Sequence, residues 1–417
     1  MRTRHLLGIV LVIWIPLGYH LLADDALLDE ITQLEQQHAP ATPTLDNYDI
    51  NLMAISETEA DPVGTLEQVV NYQSPTDAYY ESLRLPELET LTTLHSPLLC
   101  DLSELACRLD IAAKPTEVSA LLARYSGLLQ QYESLQHLSN IHSADTAKVS
   151  VSIMAAFQLD ELYALHIYQL MLAGNMQQAE SKLIALIKQQ RRFLNSSHTA
   201  IRRSVVMANF SQRYLPLAIE LSLRSASSRA ALAGVLQPFT LDEVTGIASR
   251  RYEFTQMLVW VRLTEQAAAQ ADIPSLSYKL LFKPNLTVNT LYKMHSLAEI
   301  TQLNTKHDWY IFYNDLTNNS KSIDTNSFAF RLANYRNFIG ATYISTFLPM
   351  VDSSYQHLFE TDLQLHLLQP LLLNGFDNGG PDFASFALNP YNNSSVVNIK
   401  GQWCYELEQD ICLPEMH

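Results

Sequence analysis

Glycine is scarce in this chain. It accounts for 12 of 417 residues, about 3% against a usual ~7%, which disfavours a turn-rich all-β fold. Charge is also scarce: 17% of residues are Asp, Glu, Lys or Arg, below the usual quarter or so. The 27 Lys and Arg stand against 43 Asp and Glu, a net charge of −16. A polyanion would be repelled by most of such a surface, so nucleic-acid binding is not expected. Phosphate-cradling glycine clusters are missing. Gly375 and Gly380 have P-loop spacing, but Pro381 stands where lysine is required. There is no GxGxxG and no GxSxG; Gly375 and Gly379 enclose Asp377 instead of serine. None of the 13 histidines lies three or four residues from another, which excludes an HExxH-type helical zinc pair. Asp377, Asn378 and Asp382 lack EF-hand spacing. No cofactor or metal is implied. What the chain does have is apolar residues, 47% of the total, enough for a sizeable core and too many for wholesale disorder.

One long uncharged run exists. Leu6–Ala23 follows Arg2 and Arg4 and precedes Asp24 and Asp25, the orientation expected when the basic flank stays inside. Its 18 residues span about 27 Å as a helix, just enough for a hydrocarbon core. The expectation is a single-pass inner-membrane anchor with a periplasmic ectodomain. The alternative is a signal peptide cleaved after Ala23, leaving a periplasmic or secreted protein. Phe338–Val351 has only 14 uncharged residues and fits a buried core helix better.

The four cysteines form two close pairs, Cys100/Cys107 and Cys404/Cys412. Six and seven intervening residues do not suit zinc, which takes two to four. In an oxidising compartment they read as two local disulfides, with cross-pairing between the ends left open. Residues seven apart on a continuous helix are about 10 Å apart, too far to bridge. Neither segment is therefore expected to be a straight helix.

Residues 24–113 are expected to form an acidic, proline-interrupted region. The stretch 24–110 carries 18 acidic and 2 basic residues, with an opening helix near Asp25–Gln37 and a linker to about Asp61. A helical domain is expected over 114–375. Apolar residues from Val118 to Leu138 recur at steps of three and four, predicting one amphipathic helix. Further helices are predicted over Ser143–Ala173, Met176–Leu194, His198–Arg224 (capped by Ser196 or Ser197) and Leu241–Ala271. The best strand candidates are Asp308–Asn314 and Val396–Tyr405, the latter in a C-terminal tail, 376–417. The expected class is all-α, a helical bundle or short solenoid with a small irregular or β-hairpin tail.

Two stretches resemble known families. In LYALHIYQLMLAGNMQQAESKLIALIKQ, Gly174 is followed five residues later by Ala179, with apolar residues at helical spacing around both. This resembles part of a tetratricopeptide repeat, whose small residues let two antiparallel helices pack closely; Tyr163 stands where Trp is usual and Arg191 where Pro is usual. Further on, the Asn389-Pro390-Tyr391 step before a short hairpin is similar to the ends of uncharacterised single-pass envelope proteins of proteobacteria. The Gly-Lys-Pro that often follows that step is missing here. The resemblance implies an envelope location and no particular activity.

One charge contrast stands out. Residues 181–230 carry nine basic residues and a single acidic one, Glu220. Arg191-Arg192 and Arg202-Arg203 flank the turn expected at Asn195–Ser197, and guanidinium pairs suit carboxylate or phosphate. These four arginines are the candidate anion- or partner-binding residues; the structural alternative is that the segment docks the acidic N-terminal region. The functional expectation is a non-catalytic helical scaffold or protein-interaction module of the envelope. The alternatives are a hydrolase gathering His307, Asp308 or Asp377, or a periplasmic small-molecule binder.

Overall fold

The computed structural model describes residues 23–37, 44–56, 63, 96–143, 149–196, 198–270, 275–321, 335–347, 353–375, 388–399, 402–406 and 410–414. It is an all-α fold with a small antiparallel sheet towards the C-terminus. The run Leu6–Ala23, except Ala23 itself, and the Asp377–Asp382 turn lie outside the described residues. Among the described residues no helix is long and apolar enough to cross a membrane. The chain forms two compact units. Unit 1 takes 1–40, 250–302 and 311–352; unit 2 takes 41–249, 303–310 and 353–417. Both are assembled from separated stretches, whereas the sequence suggested divisions in chain order.

Helix α1 (Asp29–Gln37) belongs to unit 1 and matches the expected opening helix. Helix α2 (Tyr48–Ser56) lies where a linker was expected. Its Tyr48, Ile50, Leu52 and Ala54 are all buried, as is Asp49, so it is a core helix without a polar face and gives no amphipathic signal. Helix α3 (Leu105–Ala113) carries Cys107, while Cys100 sits in the preceding turn. That break lets the Cα atoms approach to 6.0 Å for the Cys100–Cys107 disulfide.

The single stripe expected from Val118 onward forms two helices, α4 (Pro115–Arg124) and α5 (Ser126–Leu135). Tyr125 leaves helical space between them (φ −106°, ψ 17°). Buried residues Val118, Leu122, Leu129 and Tyr132 continue across the break, so periodicity alone could not reveal it. Helix α6 (Val149–Leu172) and α7 (Met176–Leu194) form a hairpin. Gly174 turns the chain at φ 79°, a conformation glycine adopts without Cβ strain. Helix α8 (Ala200–Asn209) is capped by Thr199, whose hydroxyl accepts from Arg202 N, in place of the expected serines. A π turn, Phe210–Tyr214, leads directly into α9 (Leu215–Arg224).

After α10 (Ser228–Val235), the helix expected from Leu241 divides into α11 (Leu241–Thr245) and α12 (Ile247–Gln270) around Gly246, at φ 60°. In unit 1, α13 (Ser275–Leu281) precedes α14 (Pro284–His295), which has proline in its first turn; α15 (Leu297–Ile300) follows. The strand expected over Asp308–Asn314 is instead part of α16 (Lys306–Lys321). Thr305 and Asp308 exchange side-chain and backbone hydrogen bonds at its start, each 3.0 Å. This N-terminal cap overrides the β preference of the aromatic run that follows. A 3₁₀ turn (Tyr335–Asn337), α17 (Phe338–Phe347) and α18 (Ser353–Asn374) complete the helices. Strands β1 (Val396–Ile399), β2 (Gln402–Tyr405) and β3 (Ile411–Cys412) form an antiparallel sheet in the order β1-β2-β3. Cys404 and Cys412 face each other in its register and are bonded, Cα atoms 4.0 Å apart.

Candidate functional site

The buried interior of unit 2 is polar at two places. The first is Asp160, which with Glu161 supplies the acidic charge of the largely apolar α6. Asp160 is 1% exposed. Its carboxylate accepts from Tyr132 Oη, from Gln190 Nε2 at 3.2 and 3.3 Å, and from Asn209 Nδ2 at 2.6 Å. Burial pushes its pKa up to about 6, while the hydrogen bond from Tyr132 and the charges of Arg202 and Arg213 pull it down. Arg213 comes from the π turn. It donates to Asn209 Oδ1 and pairs with Glu161 while lying 4.3 Å from the centre of the Phe157 ring. A carboxylate surrounded by donors is well suited to crosslink α5, α6, α7 and α8. It has no free lone pair directed at a solvent-exposed site.

The second place is Asp362, fully buried on α18. It accepts from Phe239 N (2.6 Å), Tyr391 Oη (2.7 Å) and Lys306 Nζ (2.6 Å). Lys306 also donates to His366 Nε2 at 3.3 Å. Burial lowers the His366 pKa to about 4, with Lys306 adding to the effect and Asp362 opposing it. A Lys–Asp–His–Tyr set has the composition of an acid–base site. Here, however, the lone pair of His366 Nε2 is engaged by the ammonium, and both Asp362 oxygens are engaged by donors. The arrangement ties the Phe239 segment, α16, α18 and the Asn389–Tyr391 turn together. It presents no unengaged base to a substrate.

The residues singled out from sequence fall around these centres. Arg191 makes a two-pronged contact with Glu243 (2.9 and 2.6 Å) and donates to Gln237 O at 2.6 Å. Glu243 also closes a capping box with Thr240. Arg192 donates to Leu138 O and Ser139 O at 2.9 and 2.8 Å. Arg203 donates to Glu243 O at 2.6 Å. Arg202 is buried with its guanidinium 4.4 Å from the Phe193 ring centre and 5.3 Å from that of Tyr48. Burial works against its charge; Tyr48, Asp49 and Asp160 sustain it, and its pKa lies above the usual value. The four arginines therefore face internal partners and do not gather into one outward anion site. The carboxylates ion-paired with the basic stretch, Glu133, Glu161, Glu220 and Glu243, come from the helices; from the acidic N-terminal region, Asp49 sustains the charge of Arg202 and lies 4.0 Å from His198.

His307 and Asp308 diverge. The His307 ring bonds Tyr391 O, while Asp308 caps α16. The hydrogen bond with Thr305 holds the Asp308 carboxyl below its usual pKa. Sequence reading thus came within one residue of Lys306 and missed Asp362 and His366. Asp362 and His366 stand four residues apart, on one face of a helix that also carries Gln356, His357, Glu360, Thr361 and Gln364, so nothing in the sequence set them apart from other polar positions. Among the described residues no His, Cys, Asp and Glu gather in a metal-binding group.

Unit 2 also has an open groove of about 300 Å³ between α4, α5 and α6, lined in part by Ala123, Gln130, Glu133, His166 and Gln169. Lys182 bridges to Glu133 at 2.6 Å and lies 5.6 Å from the centre of the Tyr163 ring. Burial, reinforced by Lys182, lowers the His166 pKa. The lining mixes small, amide and apolar side chains with the Glu133 carboxylate, the His166 imidazole and two hydroxyls, of which Ser119 accepts from Gln169 Nε2 at 2.9 Å and Ser126 donates to Ala123 O at 3.0 Å.

In unit 1 the residues that follow the apolar run are tightly held. The Asp24 carboxylate accepts the first backbone N–H groups of α14, Asn285 N at 2.8 Å and Leu286 N at 3.1 Å. Arg336 Nη2 pairs with Asp25 Oδ1 at 2.9 Å and reaches Ala23 O at 3.4 Å. Asn285 and Asn289 donate to Asp25 O and Ala26 O at 3.0 and 2.8 Å. Asp24 thus caps a helix 260 residues distant in sequence, where an anion is favoured by the dipole and the unpaired N–H groups. No protein-family model, curated protein or solved structure matches this chain.

Proposed function

We propose that the protein is a membrane-anchored helical scaffold of the bacterial envelope, held on the periplasmic face by residues 6–23, and that it presents its helices to an envelope protein. The observation that carries this reading is the mooring of Ala23–Ala26. A chain segment that only tethered a soluble body would not need its first residues built into a helix cap and an ion pair. The two disulfides agree with an oxidising compartment. The saturated hydrogen bonding at Asp160 and Asp362 favours a structural over a catalytic role. The groove beside Ala123 and Gln130 is the surface proposed for the partner, since small side chains there leave room for a protruding residue.

In vivo crosslinking from a photoreactive residue at Gln130, followed by recovery from washed membranes, tests this reading. One stoichiometric envelope protein is expected, and Ala123→Arg should abolish the adduct while leaving the helical circular dichroism unchanged. Absence of any protein adduct at Gln130 and its neighbours would contradict the interaction role.

A further inference from the structure

The region of unit 1 that binds Ala23 also carries uncovered apolar side chains. Arg336, which holds Ala23 O and Asp25, is followed by Asn337, whose Oδ1 accepts from Lys283 N at 2.8 Å. On either side of that hydrogen bond stand Leu281, 44% exposed, and Phe338, 59% exposed. Phe338 is the only aromatic among the large hydrophobic residues left exposed in the described structure. Lys279 is exposed on the same turn of α13 as Leu281, and its carbonyl accepts from the Lys283 ammonium. Phe338 therefore lies two residues along the chain from Arg336, the side chain that grips Ala23.

Depth in a bilayer follows from this. An apolar helix of 18 residues is just long enough for the hydrocarbon core, about 30 Å. If Leu6–Ala23 spans, Ala23 sits at the edge of that core, and the headgroup layer beyond it is only about 5–8 Å thick on each side. Exposed side chains next to the residues that hold Ala23 then have that layer within reach. It is the zone that accepts an aromatic ring and a leucine beside Lys and Arg. Asp24 and Asp25 offset the local positive charge by capping α14 and pairing with Arg336. The patch is thus close to neutral, and it calls for the interface itself, with no special demand for anionic lipid.

We infer that Phe338 and Leu281 insert into the headgroup layer of the periplasmic leaflet and form a second attachment that orients unit 1 on the membrane. This rests on the anchored reading above, and the two can be tested separately in one experiment. Trp14 lies within the apolar run, and its insertion is read as the difference in quenching between the natural chain and W14F, which keeps Trp260, Trp309 and Trp403 as a constant background; F338W and L281W, each made in the W14F background, report the patch by the same difference. The full chain is reconstituted in vesicles of phosphatidylcholine and phosphatidylglycerol, with or without bromines on the upper acyl carbons. Expected is loss of the Trp14 signal in brominated vesicles, and at least about twofold quenching of the indoles added by F338W and L281W, as for interfacial aromatics. Quenching of Trp14 with neither added indole affected would overturn the patch and leave the anchor standing. No quenching of Trp14 would overturn the anchor, and the patch with it.

Discussion

Asp160 and Asp362 are carboxylates set inside unit 2, 1% and 0% exposed. Each is buried and each gathers donors from several helices. Asp362→Ala would strand the Lys306 ammonium and the Phe239 N–H. A loss of about 3–5 kcal/mol is expected, as for breaking one side of a buried charged pair, read as a fall in the urea midpoint. Titration gives a second prediction. Burial keeps His198 and His366 neutral down to about pH 4 and His295 down to about pH 3, against 6.5 for the ordinary imidazole. Below pH 6.5 the unfolded chain takes up protons that the folded one refuses, so stability present above 6.5 is lost as pH falls towards 4. Asp160 works the other way. Its pKa is raised from 3.8 to about 6, so its contribution is present at low pH and is lost as pH rises through 6. Near pH 5 the three histidines outweigh the one aspartate by about two protons, and stability should fall by about 2.7 kcal/mol per pH unit on acidification. Urea titrations at pH 4.5, 5.5 and 6.5 measure that slope. His198→Asn should roughly halve it, and an unchanged slope would contradict the assignment.

At the scale of elements, several boundaries are set by backbone chemistry that hydrophobic periodicity does not encode. The hairpin α6–α7 was legible because a clean 3.6-residue pattern is punctuated by Gly174-Asn175. The strand hairpin at Val396–Tyr405 was legible from β-branched and aromatic residues. The Tyr125 break was not, because the buried stripe runs across it. Helix α16 was misread because alternating aromatics in DWYIFYN outweighed the Thr305–Asp308 cap. The candidate sites were less legible than the fold. An arginine's partners depend on which helices pack together, and Glu243 lies 52 residues from Arg191. Gly246 provides a test at this scale. It adopts φ 60°, and a Cβ there would stand 1.4 Å from Arg203 Nη1. Gly246→Ala should cost about 2–4 kcal/mol by combining positive-φ strain with overpacking. Removing the distant cap is milder. Asp24→Ala should cost about 1 kcal/mol of unit 1 stability, with faster amide exchange at Asn285 and Leu286.

At the scale of the whole molecule, the proposed function requires Leu6–Ala23 to hold the all-α chain on a membrane, in a compartment where thiols oxidise. The low glycine content and the helical periodicity point to the class, and the cysteine spacing favours local pairs while leaving cross-pairing open; the turn before α3 and the β2–β3 register accommodate the local pairs. The interleaving of the two units had no local signature, because long-range assembly leaves none in a window of ten or twenty residues. Reducing both disulfides removes two small ring constraints, each contributing roughly 2–3 kcal/mol in the chain-entropy model. A reductant-dependent drop in thermal midpoint is therefore expected. The most direct test of the central claim uses native membranes washed with alkaline carbonate, alkylated without prior reduction and read by mass spectrometry. The account predicts that the intact chain stays in the pellet with all four cysteines unmodified; release into the wash, or alkylation of any of the four, would contradict it.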